Sequence, residues 1–493
     1  MNASSILVID VGTSGLRAAV VRPDATIDGL HYRSSPPSTP FAGLVEFDAD
    51  EMARLVIEVA NAALRDSGPV AAVGITNQRA STIVWDRRTG APIGPGIGWQ
   101  DLRTVGECIV AKAEHGLALA PNQSATKASW LIKTFAADRD PRELCVGTID
   151  TWLVWKLSGD ARLHVTDHSN AAVTGLATMH IGAPRWNERA CEAMQVPLEC
   201  LPTIVDSSGP IGTASVLPGS PPITGMAGDQ QASLMGQSCV RPGMAKCTFG
   251  TGGMLDLFTG ATPPSRPERT GHGTFPIVAW SRHGELSWGA EAIMLSAGSA
   301  VEWLHTDMGL VSSPEETHEI AQSCSSADGV YFVPALLGLA TPSWDYGARG
   351  GLFGLTRGTT RAHIVRAVLE GVAHRGADLL EAAMADHDGL SVGELRIDGG
   401  MSRNPTFVQA LADTTGRPVS VAPVTEATTL GAAFLAGLEV GTWSGLDDIE
   451  RAWRPAGTVE PRTGYDRAAE RARWVEAVTR VGGWIPDLSS LDF

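Results

Sequence analysis

Several features of specialised proteins are missing from this chain of 493 residues. Its longest apolar run, Tyr331 to Ala340, is interrupted by Pro334 and Gly338 and is far shorter than a membrane-spanning helix requires. The seven cysteines include no Cys-x-x-Cys pair, which indicates reduced thiols and excludes a disulfide framework or a cysteine zinc site. No block of Lys or Arg offsets the formal net charge of -16, so neither a nucleic acid nor a membrane is expected as a partner.

Two common signatures of phosphoryl transfer are also absent. The sequence contains no Gly-Lys dipeptide, which excludes a Walker-type phosphate loop, and no His-Arg-Asp triplet of a protein-kinase catalytic loop. The segment from Gly389 to Gly393 matches the Gly-x-Ser-x-Gly elbow of hydrolases in letters. It is predicted to lead from a helix into a strand, which is the reverse of the context that such an elbow needs.

The composition that remains is that of a globular protein. Hydrophobic residues make up 43% and charged residues 19% of the chain, and its length is sufficient for two or more domains. The first five residues run directly into a predicted strand without a basic segment or a cleavage signature. We therefore expect a cytoplasmic protein.

An aspartate near the midpoint of the chain is the first candidate for chemistry. Asp229 lies in the Gly-flanked segment from Gly225 to Gln237, where a loop enters a helical pattern. Its carboxylate could approach a substrate hydroxyl and take its proton, while the amides of Gln230 and Gln231 hold neighbouring hydroxyls. An Asp between Gly and a helical pattern is most often only an N-cap. This segment alone leaves both interpretations open.

The N-terminal segment predicts a hairpin with a small-residue tip. A strand over 6–9 ends in Asp10-Val11-Gly12-Thr13-Ser14-Gly15, and 16–21 returns as a second strand. Backbone N–H groups at such a tip can cradle phosphate oxygens, and Asp10 could hold Mg²⁺ through water. A plain hairpin turn is the alternative.

A buried parallel strand is predicted over 70–75, after a helix that begins at Asp48 and Asp50. It delivers Arg79 at its carboxyl end, where ligands bind in open α/β sheets, although an exposed loop arginine is the alternative. Trp99 follows on a Gly/Pro-rich loop and could lie near the same pocket or in the core. Further predicted elements are helices over 127–134 and 150–157, a hairpin over 161–167 and a final helix beyond Arg454.

The second half of the chain repeats the order of the first. A strand over 244–249 leads to Gly250-Thr251-Gly252-Gly253 and a return strand over 254–258. A helix over 360–380 precedes a strand over 395–397, Gly399-Gly400 and a helix over 404–415. Two hairpin tips that face each other across a cleft would grip a polyphosphate from both sides. Gly399-Gly400 would let a planar base lie flat on the backbone, unless it is only a strand-to-helix turn.

Motifs in a fixed order run from Ile6 to about Gly441. They are Asp10-Val11-Gly12-Thr13, Thr76-Asn77-Gln78-Arg79, Trp99-Gln100-Asp101, Gly147-Thr148-Ile149-Asp150-Thr151-Trp152, Gly228-Asp229-Gln230-Gln231, Phe249-Gly250-Thr251-Gly252, Ala348-Arg349-Gly350-Gly351-Leu352-Phe353-Gly354-Leu355 and Glu426-Ala427-Thr428-Thr429-Leu430-Gly431-Ala432-Ala433. With these motifs in this order, the chain resembles the FGGY carbohydrate kinases, most closely their glycerol-kinase branch.

The resemblance implies an α/β fold of two actin-like (ribonuclease H-like) domains, at 1–237 and 238–493, with the catalytic cleft between them. It implies ATP and Mg²⁺ as cofactors, with Asp229 as general base for the attacking hydroxyl and Asp10 and Asp229 near the metal. Residues implied to bind the nucleotide are Gly12, Thr13, Ser14, Arg17, Gly250, Thr251, Gly252, Gly298, Gly399, Gly400 and Asn404. Residues implied to line the substrate site are Arg79, Ala80, Trp99, Asn122, Asp229, Gln230 and Met254. The resemblance also allows a homodimer.

Three positions of that substrate site depart from the glycerol-kinase pattern. Ala80 stands where a Glu follows the Arg, Asn122 where a Tyr precedes the Ser-x-x-Lys segment, and Met254 where a Phe is usual. Loss of the Glu removes a hydroxyl acceptor, and a buried pair of this kind contributes about 1–3 kcal/mol. We therefore expect phosphorylation of a longer polyol or ketose of four or five carbons. Glycerol is the alternative acceptor, and a non-catalytic sugar or nucleotide sensor is a third interpretation.

Overall fold

The computed structural model describes residues 4–179, 184–423 and 426–491. The strands are β1 Ile6–Val11, β2 Gly15–Val21, β3 Ile27–Ser34, β4 Glu46–Phe47, β5 Ala72–Asn77, β6 Ile83–Asp86, β7 Gly96–Ile97, β8 Leu144–Gly147, β9 Val165–Asp167, β10 Ala177–Thr178, β11 Arg185–Trp186, β12 Thr203–Val205, β13 Ser208–Thr213, β14 Pro222–Gly228, β15 Ala245–Phe249, β16 Gly253–Gly260, β17 Phe275–Arg282, β18 Glu285–Met294, β19 Tyr331–Val333, β20 Gly351–Phe353, β21 Leu395–Asp398, β22 Val419–Val421 and β23 Gly457–Val459. The helices are α1 Ala49–Ser67, α2 Val105–His115, α3 Ser124–Phe135, α4 Ile149–Leu157, α5 His168–Ala172, α6 Glu188–Met194, α7 Asp229–Gly236, α8 Gly298–Glu302, α9 Glu316–Gln322, α10 Arg361–Ala385, α11 Pro405–Thr415, α12 Ala427–Val440, α13 Leu446–Ala452, α14 Arg467–Val481 and α15 Pro486–Ser489.

The first half of the chain forms a sheet in the order β13-β14-β5-β1-β2-β3. β1 and β2 pair as an antiparallel hairpin, while β5 lies parallel to both β1 and β14. Residues on the two sides of this sheet belong to two different apolar clusters, since Leu7 and Ile9 pack on one side and Ile6 and Val8 on the other. Burial on both faces explains the nearly continuous apolar sequence of β1 and β5.

The second half builds the same pattern from different residues. β15 and β16 form the antiparallel hairpin, and β21 lies parallel to β15 as β5 lies to β1. The two sheets join through one residue pair, Ser208 with Arg282, to give a thirteen-stranded sheet. The structure thus confirms the predicted α/β fold of two similarly built halves.

Helices α7 and α12 cross in close backbone contact between the two halves. A Cβ added at Gly236 would lie 1.9 Å from the carbonyl oxygen of Ala427, and one at Gly431 would lie 1.7 Å from that of Ala232. α12 comes from the second half of the sequence, yet Thr224 of β14 donates a hydrogen bond to the carbonyl oxygen of Ala436. Since this helix packs on the first sheet, the domain limits 1–237 and 238–493 remain a prediction.

The predicted hairpin over 161–167 is wrong. A single 3-10 turn covers Gly159–Ala161, and β9 pairs in parallel with β12, whose residues follow almost forty positions later. The polar stretch between two apolar segments favours a local turn in the sequence, but the partner of β9 is distant. The other predicted helices and strands form with boundaries shifted by a few residues.

The predicted C-terminal helix forms as α14 and packs on the second half. Trp474 of α14 is fully buried and stacks on the ring of His374 in α10 at 4.9 Å. Arg471 donates hydrogen bonds to Asp378 and Glu381 of the same helix. All seven cysteines are free thiols, and six are buried. Among the described residues, no helix is both long and apolar enough to cross a membrane.

Candidate active site

Asp229 lies where β14 ends and α7 begins. Gly228 occupies the cap position, so Asp229 is the first helical residue and its carboxylate does not serve as an ordinary N-cap. Oδ1 accepts a hydrogen bond from the backbone N–H of Gln230 at 2.9 Å and lies 3.4 Å from Nε of Arg79. The side chain keeps 30% of its surface open to the cleft. Burial by the cleft walls raises the pKa of Asp229, and the Arg79 guanidinium opposes this rise.

Arg79 follows β5 and is anchored by a carboxylate that the sequence did not reveal. Its Nη2 donates to Oε2 of Glu291 on β18 at 2.7 Å, and both side chains are almost fully buried. Nη1 is buried and has no hydrogen-bond partner among the described residues. Glu291 is a single acidic residue in a strand that is otherwise apolar over 288–294, and this break in the pattern is the only signal the sequence offers.

Lys246 is a second functional neighbour that sequence reasoning missed. Its Nζ donates to Oε1 of Gln230 at 2.6 Å and lies 2.7 Å from Oδ2 of Asp256, with no exposed surface on either charged side chain. Burial alone would lower the pKa of Lys246, but Asp256 and Asp398 outweigh it and raise the pKa. The ammonium group therefore stays charged, and its hydrogen bond uses the amide oxygen of Gln230 as the acceptor. The amide N–H groups of Gln230 are left as donors for the cavity.

One cavity of about 270 Å³ collects all the residues predicted to line the substrate site. Its lining contains Arg79, Ala80, Trp99, Asn122, Asp229, Gln230 and Met254, and also Thr13 and Glu291. The indole N–H of Trp99 donates to Oγ1 of Thr13 at 3.2 Å, which fixes the ring as a wall between the first hairpin tip and the cavity. The lining also contains the apolar residues Val173, Met179, Phe275, Ile277 and Ile293. The cavity therefore combines apolar surface with the polar groups of Asp229, Arg79 and Gln230, which suit a small hydroxylated molecule.

Asp10 ends β1 beside the first hairpin tip. Its Oδ2 accepts a hydrogen bond from Oγ1 of Thr428 in α12 at 2.6 Å and lies 3.4 Å from Nε of Arg17. Burial raises the pKa of Asp10, while Arg17 and Thr428 lower it. The tip itself is closed by a hydrogen bond from the Gly12 N–H to the Gly15 carbonyl, with Thr13 and Ser14 between them. These contacts tie the tip and its carboxylate to a helix from the other half of the chain.

A second cavity of about 710 Å³ lies in the second half. It is lined by five of the residues predicted to bind the nucleotide, namely Gly250, Thr251, Gly298, Gly400 and Asn404. Gly12, Thr13, Ser14 and Arg17 lie on the first hairpin and do not line it. Four further residues line this cavity and were not predicted from the sequence, namely Glu302, His305, His318 and Arg403.

Glycines in or beside the second cavity shape it in two different ways, although Gly252 and Gly399 are not among its lining residues. A Cβ at Gly298 would lie 2.6 Å from the Gly250 carbonyl oxygen, and one at Gly252 would lie 2.7 Å from that of Met294. Gly399 has a φ of +86° and would place a Cβ 2.4 Å from the Phe249 carbonyl oxygen. Gly400 instead has open space where its Cβ would be. A flat ring can therefore approach the backbone at Gly400, which fits the base of a nucleotide.

The carboxylates of the site fit a metal ion that arrives with a substrate. Within 4–179, 184–423 and 426–491, no group of three or more His, Cys, Asp or Glu side chains could hold an ion by itself. Asp10 and Asp229 are nonetheless close enough for the charge of Asp10 to raise the pKa of Asp229. Mg²⁺ commonly takes one or two carboxylates, keeps several waters and completes its shell with substrate phosphates. The pair therefore suits Mg²⁺ bound together with a nucleotide.

Comparisons with known proteins give matches over nearly the whole chain. Residues 5–236 match the N-terminal domain model, and residues 245–440 the C-terminal domain model, of the FGGY family of carbohydrate kinases. The glycerol kinase of Dechloromonas aromatica is 43% identical over 97% of this chain and 98% of its own. The crystal structure of Plasmodium falciparum glycerol kinase with ADP superposes with a TM-score of 0.89 at 30% identity, covering 97% of this chain and 98% of that one. A xylulose kinase from Rhodospirillum rubrum shares the fold, with a TM-score of 0.83 at 21% identity over 98% of this chain and 99% of that one.

Proposed function

The chain belongs to the FGGY family of carbohydrate kinases, and from that premise we propose that it transfers the γ-phosphoryl group of ATP to a hydroxyl of glycerol. It is a phosphotransferase that acts on an alcohol group and not a passive sensor. The relatives favour glycerol over the longer acceptor expected from Ala80, Asn122 and Met254. The observation that carries the proposal is the meeting of Asp229, Arg79 and Gln230 on one small cavity.

In this proposal Asp229 acts on the reacting hydroxyl. Its carboxylate is partly exposed, lines the cavity and lies at the N-terminus of α7. A base in this position takes the proton as the hydroxyl oxygen attacks the γ-phosphorus. Arg79 and the N–H groups of Gln230 orient the acceptor, and the hairpin tips at Gly12–Thr13 and Gly250–Thr251 hold the phosphates. Mg²⁺, when bound near Asp10 and Asp229, would neutralise phosphate charge.

Exclusion of water is the remaining requirement, because water would otherwise accept the phosphoryl group. The site is built from both halves of the chain, since Asp229 and Arg79 come from the first and Glu291 and Met254 from the second. Closure of the two halves over the substrates would complete it. A cytoplasmic location and a homodimer remain predictions from the sequence.

One observation favours a second candidate acceptor. Ala80, Asn122 and Met254 line the cavity at the three positions where glycerol kinases carry larger or acidic residues. A four- or five-carbon polyol would use the additional space. This candidate competes with glycerol for the same site and the same chemistry.

A comparison of kcat/KM among several acceptors distinguishes glycerol from the four- and five-carbon polyols. Purified protein with Mg²⁺ and ATP is assayed for ADP release with glycerol, erythritol, threitol, xylitol and ribitol. We expect glycerol to be preferred by about tenfold or more, a ratio that corresponds to about 1.4 kcal/mol of transition-state binding. A higher kcat/KM for any four- or five-carbon polyol than for glycerol would show that the second candidate is the acceptor.

Thr428 provides a prediction for the metal end of the site. Replacing it with valine removes the hydrogen bond to Oδ2 of Asp10 across the two halves. Because that bond lowers the pKa of Asp10, its loss leaves a smaller fraction of the carboxylate ionised. We expect half-saturation with Mg²⁺ to require about tenfold more metal, since a hydrogen bond to a charged group contributes about 1.5 kcal/mol. Thr428→Ser keeps the hydrogen-bond donor, so its Mg²⁺ requirement should stay near that of the wild type. If Thr428→Val required no more Mg²⁺ than the wild type, Asp10 would not be part of the metal site.

A further inference from the structure

Glu291 lies in the substrate cavity without a role in the proposed chemistry. It projects from the middle of β18 and lines the same cavity as Asp229, Gln230 and Asn122. Its side chain is 8% exposed. A carboxylate in such a position is stable only if its oxygens are hydrogen-bonded or paired.

The hydrogen bonds of Glu291 leave part of that requirement unmet. Within the part of the chain that the structure describes, its one hydrogen-bond partner is Nη2 of Arg79, which donates to Oε2. A carboxylate has about four acceptor sites on two oxygens, so Oε1 remains available on the cavity side. Oε1 can therefore accept a hydrogen bond from a donor group that enters the cavity.

An alcohol hydroxyl is such a group. Its O–H group can donate a hydrogen bond to Oε1 of Glu291. The reacting hydroxyl is placed elsewhere, because Nε of Arg79 lies beside Asp229 while Nη2 lies beside Glu291. The hydroxyl that satisfies Glu291 is therefore a non-reacting one.

We propose that Glu291 accepts a hydrogen bond from a non-reacting hydroxyl of the acceptor and so sets the specificity of the site. The inference deepens the proposed function and rests on it. It also supplies the missing acceptor at Ala80, since a carboxylate from β18 reaches the same cavity from the opposite half of the chain. The contrasting role for Glu291 is purely structural, as an anchor for Arg79.

The two roles are separated by a pair of variants and a pair of substrates. Glu291→Gln keeps an amide oxygen that accepts from Arg79 but replaces the second acceptor oxygen with a donor, whereas Glu291→Ala removes both. Kinetics are measured with glycerol, with propane-1,3-diol, which lacks the central hydroxyl, and with propane-1,2-diol, which lacks a terminal one. Glu285→Gln at the exposed start of the same strand serves as the matched control. Thermal unfolding and ATP binding of each variant verify that it is folded.

We expect one of the two diols to be used about 100-fold less well than glycerol by the wild type, because its missing hydroxyl leaves Glu291 unsatisfied. In Glu291→Gln that penalty should fall to about tenfold or less, with the loss carried mainly by KM for glycerol. Penalties that stay the same in both variants, or a Glu291→Gln enzyme that matches the wild type while Glu291→Ala is impaired, would leave only the anchoring role. Failure of the wild type to use glycerol would instead overturn the proposed function, and the outcomes are thus distinguishable.

Discussion

Replacement of Asp229 by asparagine is expected to lower kcat by about 10²–10⁴-fold, the usual contribution of a positioned general base. Asparagine keeps the shape of the side chain and can accept the hydrogen bond from the Gln230 N–H, so the start of α7 should be unchanged. It cannot take a proton from the reacting hydroxyl. ATP binding, measured by calorimetry, should stay within about threefold of the wild type, since the second cavity lies in the other half of the chain. Asp24→Asn, in the exposed turn after β2, is the control that should leave the rate unchanged.

The pH dependence of the wild type gives an independent check on the same residue. Burial raises the pKa of Asp229 above its ordinary value, and the base is active only when it is deprotonated. The value of kcat/KM should therefore fall with decreasing pH through a pKa above about 3.9, the ordinary value for aspartate. The acid limb should disappear from the residual activity of Asp229→Asn. An asparagine variant with wild-type turnover would exclude Asp229 as the base.

Replacement of Gly431 by alanine is expected to lower both stability and activity, although this residue touches no substrate. The added Cβ would lie 1.7 Å from the carbonyl oxygen of Ala232, which belongs to the backbone of α7 and cannot rotate away. Helices α7 and α12 must then separate, at a cost of about 3 kcal/mol, the upper end of what overpacking usually costs. α7 carries Asp229, so its displacement should also reduce turnover by about 100-fold.

The measurement is a thermal unfolding curve paired with a turnover assay. We expect the midpoint to fall by about 3 °C, because the unfolding entropy of a chain of this length is about 1 kcal/mol/K. Gly106→Ala is the matched control, because Gly106 lies in helix α2 and has nothing within 4 Å of its Cβ position. That substitution should be neutral or stabilising by about 0.5–1 kcal/mol. If Gly431→Ala were as stable and as active as Gly106→Ala, the close crossing of the two helices would be wrong.

The site residues that could be predicted from the sequence belong to short motifs that directly follow strands. Asp229 and Gln230 start a helix directly after a strand, and Arg79 follows the carboxyl end of another parallel strand. Parallel strands deliver their carboxyl ends to one edge of the sheet, so these residues meet without any knowledge of distant contacts. The two hairpin tips were predictable in a similar way, because each lies between two strands that are consecutive in the sequence.

The unpredicted part depends on pairing between distant strands. Glu291 and Lys246 are single charged residues in buried strands, and their roles appear only when β18 and β15 bring them to Arg79 and Gln230. Periodicity treats such residues as interruptions of an apolar pattern. Their partners lie 212 and 16 positions away in the sequence, beyond what local spacing can relate.

Strand boundaries were missed for a related reason. The strand predicted over 70–75 forms as β5 and extends through Thr76 and Asn77, which are polar but fully buried. Asn77 is satisfied by a side-chain hydrogen bond to Asn170, at 3.0 Å and 93 residues away. A polar residue with a distant buried partner resembles a loop residue in the sequence, because burial of the pair becomes visible only in the fold.

The most direct measurement follows the phosphorus atoms themselves. Purified protein is incubated with Mg²⁺, ATP and glycerol, and ³¹P NMR records the products over time. The γ-phosphate signal should be replaced one for one by ADP and a phosphomonoester of glycerol, with little inorganic phosphate, and the conversion should be lost in Asp229→Asn. Release of inorganic phosphate without an ester, or an unchanged ATP spectrum in the presence of glycerol, would contradict direct transfer from ATP to this acceptor.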